Sequence, residues 1–225
     1  MITKLPKWME LGALMLALQA GVINAIGLLG LEHQAVSHIS GSVTRLGVAM
    51  AQGQATLVLH LAGVLLSFGA GAMLSGLVLT SGFVKLGRFY DLLLLLEALL
   101  LTAALWLLQD GAFAGLYLAS MACGLQNAMV TRYSGAIVRT THLTGVVTDL
   151  GMMLGGALRG ERFDKRKAGL LLLLCLGFVM GGGIGALLFG QWQFHALLLP
   201  MGSCLVLAAL YRGLRQRALG QQRTD

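Results

Sequence analysis

Apolar residues fall into eight blocks along the chain, at about 9–31, 36–52, 55–80, 90–108, 112–130, 138–157, 168–190 and 194–211. Most are too long for strands and lack the apolar/polar alternation of a membrane barrel, so the pattern predicts helices throughout. Six blocks suit helices that cross a bilayer, which takes about 20 residues. The blocks at 36–52 and 138–157 are shorter, open with polar residues and carry a charge near the middle. The first block follows Lys4 and Lys7, as a secretory signal would. It exceeds the usual signal core and has a counterpart in mid-chain, so a retained span is expected.

That counterpart belongs to a longer recurrence. Gly21-Val22-Ile23-Asn24-Ala25 returns as Gly124-Leu125-Gln126-Asn127-Ala128. His38-Ile39-Ser40-Gly41-Ser42-Val43-Thr44-Arg45 returns as His142-Leu143-Thr144-Gly145-Val146-Val147-Thr148-Asp149. The offset is 103 for the Asn and 104 for the His. Shared glycine packing explains the Gly matches, but not the matched Asn, His and hydroxyl residues. The chain therefore reads as one transmembrane domain, residues 1–225, built of two repeats at about 9–108 and 112–212.

Composition agrees. Of 225 residues, 57% are hydrophobic and only 11% are charged, with a mean hydropathy of +0.81. A soluble fold of this size could not cover so much apolar surface, and a disordered chain would not contain it. Cys123, Cys175 and Cys204 all lie in apolar blocks and form no CxxC pair, which suggests neither a disulfide framework nor a zinc site. No cofactor or metal is expected. The net charge of +7 is a topology signal rather than a mark of nucleic-acid binding. Fifteen of the 16 Lys and Arg residues lie in five clusters: Lys4 and Lys7; Lys85 and Arg88; Arg132 and Arg139; Arg159 to Lys167; Arg212 to Arg223. With eight full spans, two of these clusters would face outward. If the two short blocks instead enter and leave on one side, six spans remain, both termini are cytoplasmic and every cluster faces the cytoplasm. The repeats are then inverted, each with three spans and a short re-entrant helix.

Several residues carry candidate chemistry. Asn24 and Asn127 lie near the ends of the first span of each repeat, where an amide needs partners. With Gln126 they are expected either to line a polar site or to fix the start of the neighbouring short helix. His38, Ser40, Gly41 and Thr44, matched by His142, Thr144, Gly145 and Thr148 with Thr141 just before, open the short helices. Helix starts offer free N–H groups and partial positive charge, so these residues are candidates for a solute pathway; plain capping is the alternative. Arg45 and Asp149 hold equivalent places with opposite charge, which predicts an ion pair across the repeat interface, or else two side chains that snorkel to water. Glu97 sits in mid-span and is a functional candidate or a structural hydrogen bonder. Stripes of small residues at Gly63, Ser67, Gly71 and Ser75, and at Gly177, Gly181 and Gly185, suit close helix packing, between the halves or in a homodimer.

The two blocks, in this order and spacing, resemble the YoaK family of bacterial inner-membrane proteins over essentially the full length. Gly124 to Ala128, followed by Arg139-Thr140-Thr141-His142-Leu143-Thr144-Gly145, is the more specific part. The resemblance implies a six-span protein of the bacterial cytoplasmic membrane and gives no substrate. Members commonly carry an acid where Asn24 stands and Asn where Ser42 stands. From the repeats, half-helices and paired polar motifs we expect a permease for a small solute, embedded in lipid. A membrane scaffold or sensor is the other reading. No nucleophile elbow, zinc motif or close acid pair speaks for an enzyme.

Overall fold

The computed structural model describes residues 7–79, 89–134 and 139–221. Lys4, Lys85, Arg88 and Arg223 lie outside them. The described residues are all-α apart from two short 3-10 turns and the connections, with no strand. In order they form α1 (Lys7–Leu29), α2 (Ile39–Ala51), α3 (Ala55–Val78), α4 (Tyr90–Gln109), α5 (Ala114–Tyr133), α6 (Leu143–Leu158), α7 (Lys165–Trp192) and α8 (Leu198–Gln221). Each coincides with one apolar block.

Four stretches are long and apolar enough to cross a membrane: Met9–Leu29, Ala55–Val78, Tyr90–Gln109 and Lys165–Gln216, the last taking in α7 and α8. Exposed Leu59, Leu66, Met73 and Leu77 on α3, and Leu176, Met180 and Leu187 on α7, give these helices an apolar outer surface that suits lipid rather than water. α5 falls short of the same apolar character, carrying Gln126, Asn127, Thr131 and Arg132. It occupies the middle of the bundle instead, with Ala119, Ser120, Ala122, Cys123, Leu125 and Gln126 all buried. A helix wrapped by protein has little need of an apolar coat.

Two apolar clusters mark the ends of the bundle. One gathers Met9, Ala13, Leu79, Tyr90, Met129, Val130, Leu170 and Ala208. The other gathers Ile26, Val36, Leu105, Leu108, Leu116, Phe189 and Leu197. α1, α4 and α7 therefore run from the first cluster to the second, and α3, α5 and α8 run back. Beside the first cluster lie most of the described cations, some of them in ion pairs such as Arg166–Glu10 at 3.3 Å and Arg215–Asp91 at 3.9 Å; we call this the basic end. α2 and α6 do not run the full length. The chain leaves α1 at the far end, turns inward through residues 34–38, and returns outward along α2 to the start of α3. Residues 139–158 do the same from the basic end.

The main contacts join the halves crosswise: α1 packs on α7, and α5 on α3. Both pairs depend on glycine. A Cβ on Gly181 would run into the backbone carbonyl of Leu18, and one on Gly21 into that of Phe178. In the matching pair, Gly71 meets the Met121 carbonyl and Gly124 the Phe68 carbonyl. The Gly177, Gly181 and Gly185 stripe lies along Leu14, Leu18 and Val22 of α1. Both predicted small-residue stripes thus pack one half of the chain on the other. Such close approach maximises dispersion contact where lipid gives no hydrophobic drive between helices.

Gly71→Val is expected to destabilise the protein by more than the ~1–3 kcal/mol typical of core overpacking, because backbone must move. Gly69→Ala, on an open face of the same helix, is expected to stay within about 0.5 kcal/mol of wild type. Thermal unfolding of the two variants in detergent checks both.

Candidate functional site

A chamber of about 1080 Å³ opens where α2 and α6 begin. Its walls come in pairs from the two halves: Asn24 with Asn127, Ser37 with Thr141, His38 with His142, Ile39 with Leu143, Ser40 with Thr144, and Phe68 with Phe178. Five of these pairs are separated by the repeat offset of 103 or 104, and the phenylalanines by 110. The larger spacing follows from a longer α6, of 16 residues against 13 in α2, and a longer link to α7.

The two short helices start alike. His38 and His142 hold the position before the first turn with similar non-helical backbone, φ −91° and −96°. Each imidazole folds over the glycine three residues on. A Cβ at Gly41 would sit 2.9 Å from His38 Nδ1, and one at Gly145 at 2.5 Å from His142 Nε2. In each half the glycine leaves room for the ring in this position. Neither helix start has a side-chain cap, which leaves its first N–H groups without a capping partner among the described residues.

The inward segment before α2 is pinned on two sides. Asn24 Oδ1 accepts from Ser37 N at 3.2 Å and Ser37 Oγ at 2.9 Å. The Ser120 hydroxyl on α5 lies 2.9 Å from the carbonyl oxygens of both Val36 and Val64. Before α6 the arrangement shifts by one residue: Thr140 Oγ1 donates to Gln126 Oε1 at 3.3 Å. Asn127 Oδ1 and Ser75 Oγ are buried without a hydrogen-bond partner among the described residues, and both residues border the chamber.

Of the residues expected on a pathway, Asn24, His38, Ser40, Asn127, Thr141, His142 and Thr144 meet at the chamber. Gly41 and Gly145 lie beneath the imidazoles. Gln126 is fully buried beside it. Thr44 and Thr148 turn away and donate to the carbonyls one turn back, at 3.1 and 2.9 Å. Arg132 and Arg139 also border the chamber. The sequence places them in a basic cluster that topology alone accounts for, and nothing in the pattern separates the two roles.

The expected Arg45–Asp149 pair does not form. Asp149 Oδ2 meets Lys167 Nζ at 2.9 Å, and Arg45 Nη1 donates to the His33 carbonyl at 3.1 Å. The cause is geometric. α2 and α6 meet only at their starts and then head to opposite ends. Seven residues on, at about 1.5 Å each, each side chain has moved about 10 Å outward. Glu97 lies apart from the chamber and is wholly buried. Gln19 Nε2 donates to its Oε1 at 2.6 Å and lies 2.8 Å from Cys204 Sγ, while Ser203 Oγ donates to Gln19 Oε1 at 2.8 Å. This network joins α1, α4 and α8.

The bundle defines a helical membrane protein with two short helices that start inside it. Residues 12–210 match the family described as protein of unknown function DUF1275, and the chain belongs to that family. The match takes in every chamber residue. No curated protein and no solved structure matches the chain.

Ser120→Ala is expected to cost about 1–3 kcal/mol, because it leaves a buried carbonyl unsatisfied. Thr148→Ala removes an exposed back-bond and should change stability by less than about 0.5 kcal/mol. Denaturation in mixed detergent micelles compares them.

Proposed function

We propose that the protein is a permease for a small solute, built of two inverted repeats in a bacterial cytoplasmic membrane with both termini inside. The observation that carries this reading is the chamber walled by matched side chains from both repeats. Matched helices that run in opposite directions, α1 against α5, α3 against α7 and α4 against α8, support the inversion. Cations gathered at one end support its placement at the cytoplasm. Helix starts inside a bilayer are tolerated where they are buried in protein or line a water-filled cavity, and this chamber supplies that cavity.

The crosswise packing defines what would move. The repeats are interleaved, so they cannot rock as two blocks. The units that can are α1 with α7 and α6, and α3 with α5 and α2. The chamber lies between them: Asn24 and Phe178 belong to one unit, Asn127 and Phe68 to the other. Sliding along the sparsely joined α1–α5 seam would open the chamber to one end and then the other.

In a variant lacking Cys123, Cys175 and Cys204, a cysteine at Thr131 is expected to react with an impermeant thiol reagent from both faces of the membrane. Reaction from one face or neither would favour a scaffold. In the same background Asp110→Cys should label from outside and Arg162→Cys only after permeabilisation. The reverse pattern sinks the orientation.

A further inference from the structure

We propose that the solute is a small organic anion, held by Arg132 and Arg139 at the basic mouth of the chamber. This rests on the chamber being a solute site. The charged and titratable residues that line it are Arg132, Arg139, His38 and His142. No carboxylate borders it among the described residues. The acids nearby on α1, α4 and α6 are held elsewhere, Asp149 by Lys167, Glu10 by Arg166 and Asp91 by Arg215. Both short helices also begin at the chamber, uncapped by a side chain among the described residues, with the positive end of their dipoles there.

A second observation points to a ligand. Ser75 is 1% exposed, borders the chamber and has a hydroxyl without a partner among the described residues. Buried hydroxyls are ordinarily satisfied, and this one offers a donor to an incoming oxygen. Asn127 offers another once its amide is turned. Arginine suits a carboxylate better than lysine because its planar fork can grip both oxygens.

The size and walls suit an organic anion better than a bare inorganic ion. About 1080 Å³ lies at the top of the usual range for organic ligands. Phe68 and Phe178 face the space from opposite units and suit an apolar body behind the charged head.

The test uses the full chain purified in a neutral detergent, with three probes of the same shape: benzoate, benzamide and benzamidinium. Benzoate is expected to bind and raise the melting temperature, and the neutral and cationic analogues to do neither. Arg132→Gln and Arg139→Gln should each weaken benzoate at least about tenfold, and Ser75→Ala about threefold. Ser75→Ala removes one hydroxyl and keeps the helix, so it remains informative if an arginine variant does not fold. Equal or tighter binding of benzamidinium or benzamide overturns the proposal, as does no binding of benzoate. Stabilisation by phosphatidylglycerol without benzoate binding also overturns it, since the arginines would then hold a lipid headgroup. If the Thr131 cysteine labels from both faces while benzoate fails, the anion proposal falls and the permease reading stands.

Discussion

Contact between bare helix backbones, possible only where side chains are missing, sets everything else in this bundle. Lipid gives apolar helices no reason to leave it for one another, so association relies on close packing. Gly181 against Leu18 and Gly71 against Met121 bring α1 onto α7 and α3 onto α5. These two tight pairs fix the frame. The gap left between them is the chamber, and the short helices reach into it from opposite ends.

A broken helix inside such a bundle exposes peptide groups that lipid cannot satisfy. The chain meets this with side chains from the central helices. Asn24 and Ser120 hold the segment before α2, and Gln126 holds that before α6. The polar residues of α1 and α5 thus have two duties, anchoring the inward turns and facing the chamber. Asn24 serves both; the oxygen of Asn127, its counterpart, has no partner among the described residues. With Ser75 of the first half, it leaves the chamber unmet hydrogen-bonding capacity from both halves among the described residues.

Much of this was legible in the sequence, for physical reasons. Helix positions follow from block length, and the re-entrant segments follow from short blocks with polar starts. The recurrence of Asn24 and His38 at Asn127 and His142 named residues that the fold gathers. The crosswise pairing was not legible. A stripe such as Gly177, Gly181 and Gly185 says which face packs, but not against which helix. The Arg45–Asp149 expectation erred because equivalence in sequence implies nearness only where the two short helices begin. Arg132 and Arg139 were hidden because a cation at a membrane boundary reads the same whether it marks a side or lines an opening.

The crosswise pairing also bears on whether either half of the chain can stand alone. A protein of one repeat would present α1 with no α7, and α3 with no α5. Each glycine-bearing face would be left open. The second half of the chain supplies both missing partners at once, α7 for α1 and α5 for α3. Each half completes the packing of the other, and co-expressed halves should still find each other across the cut.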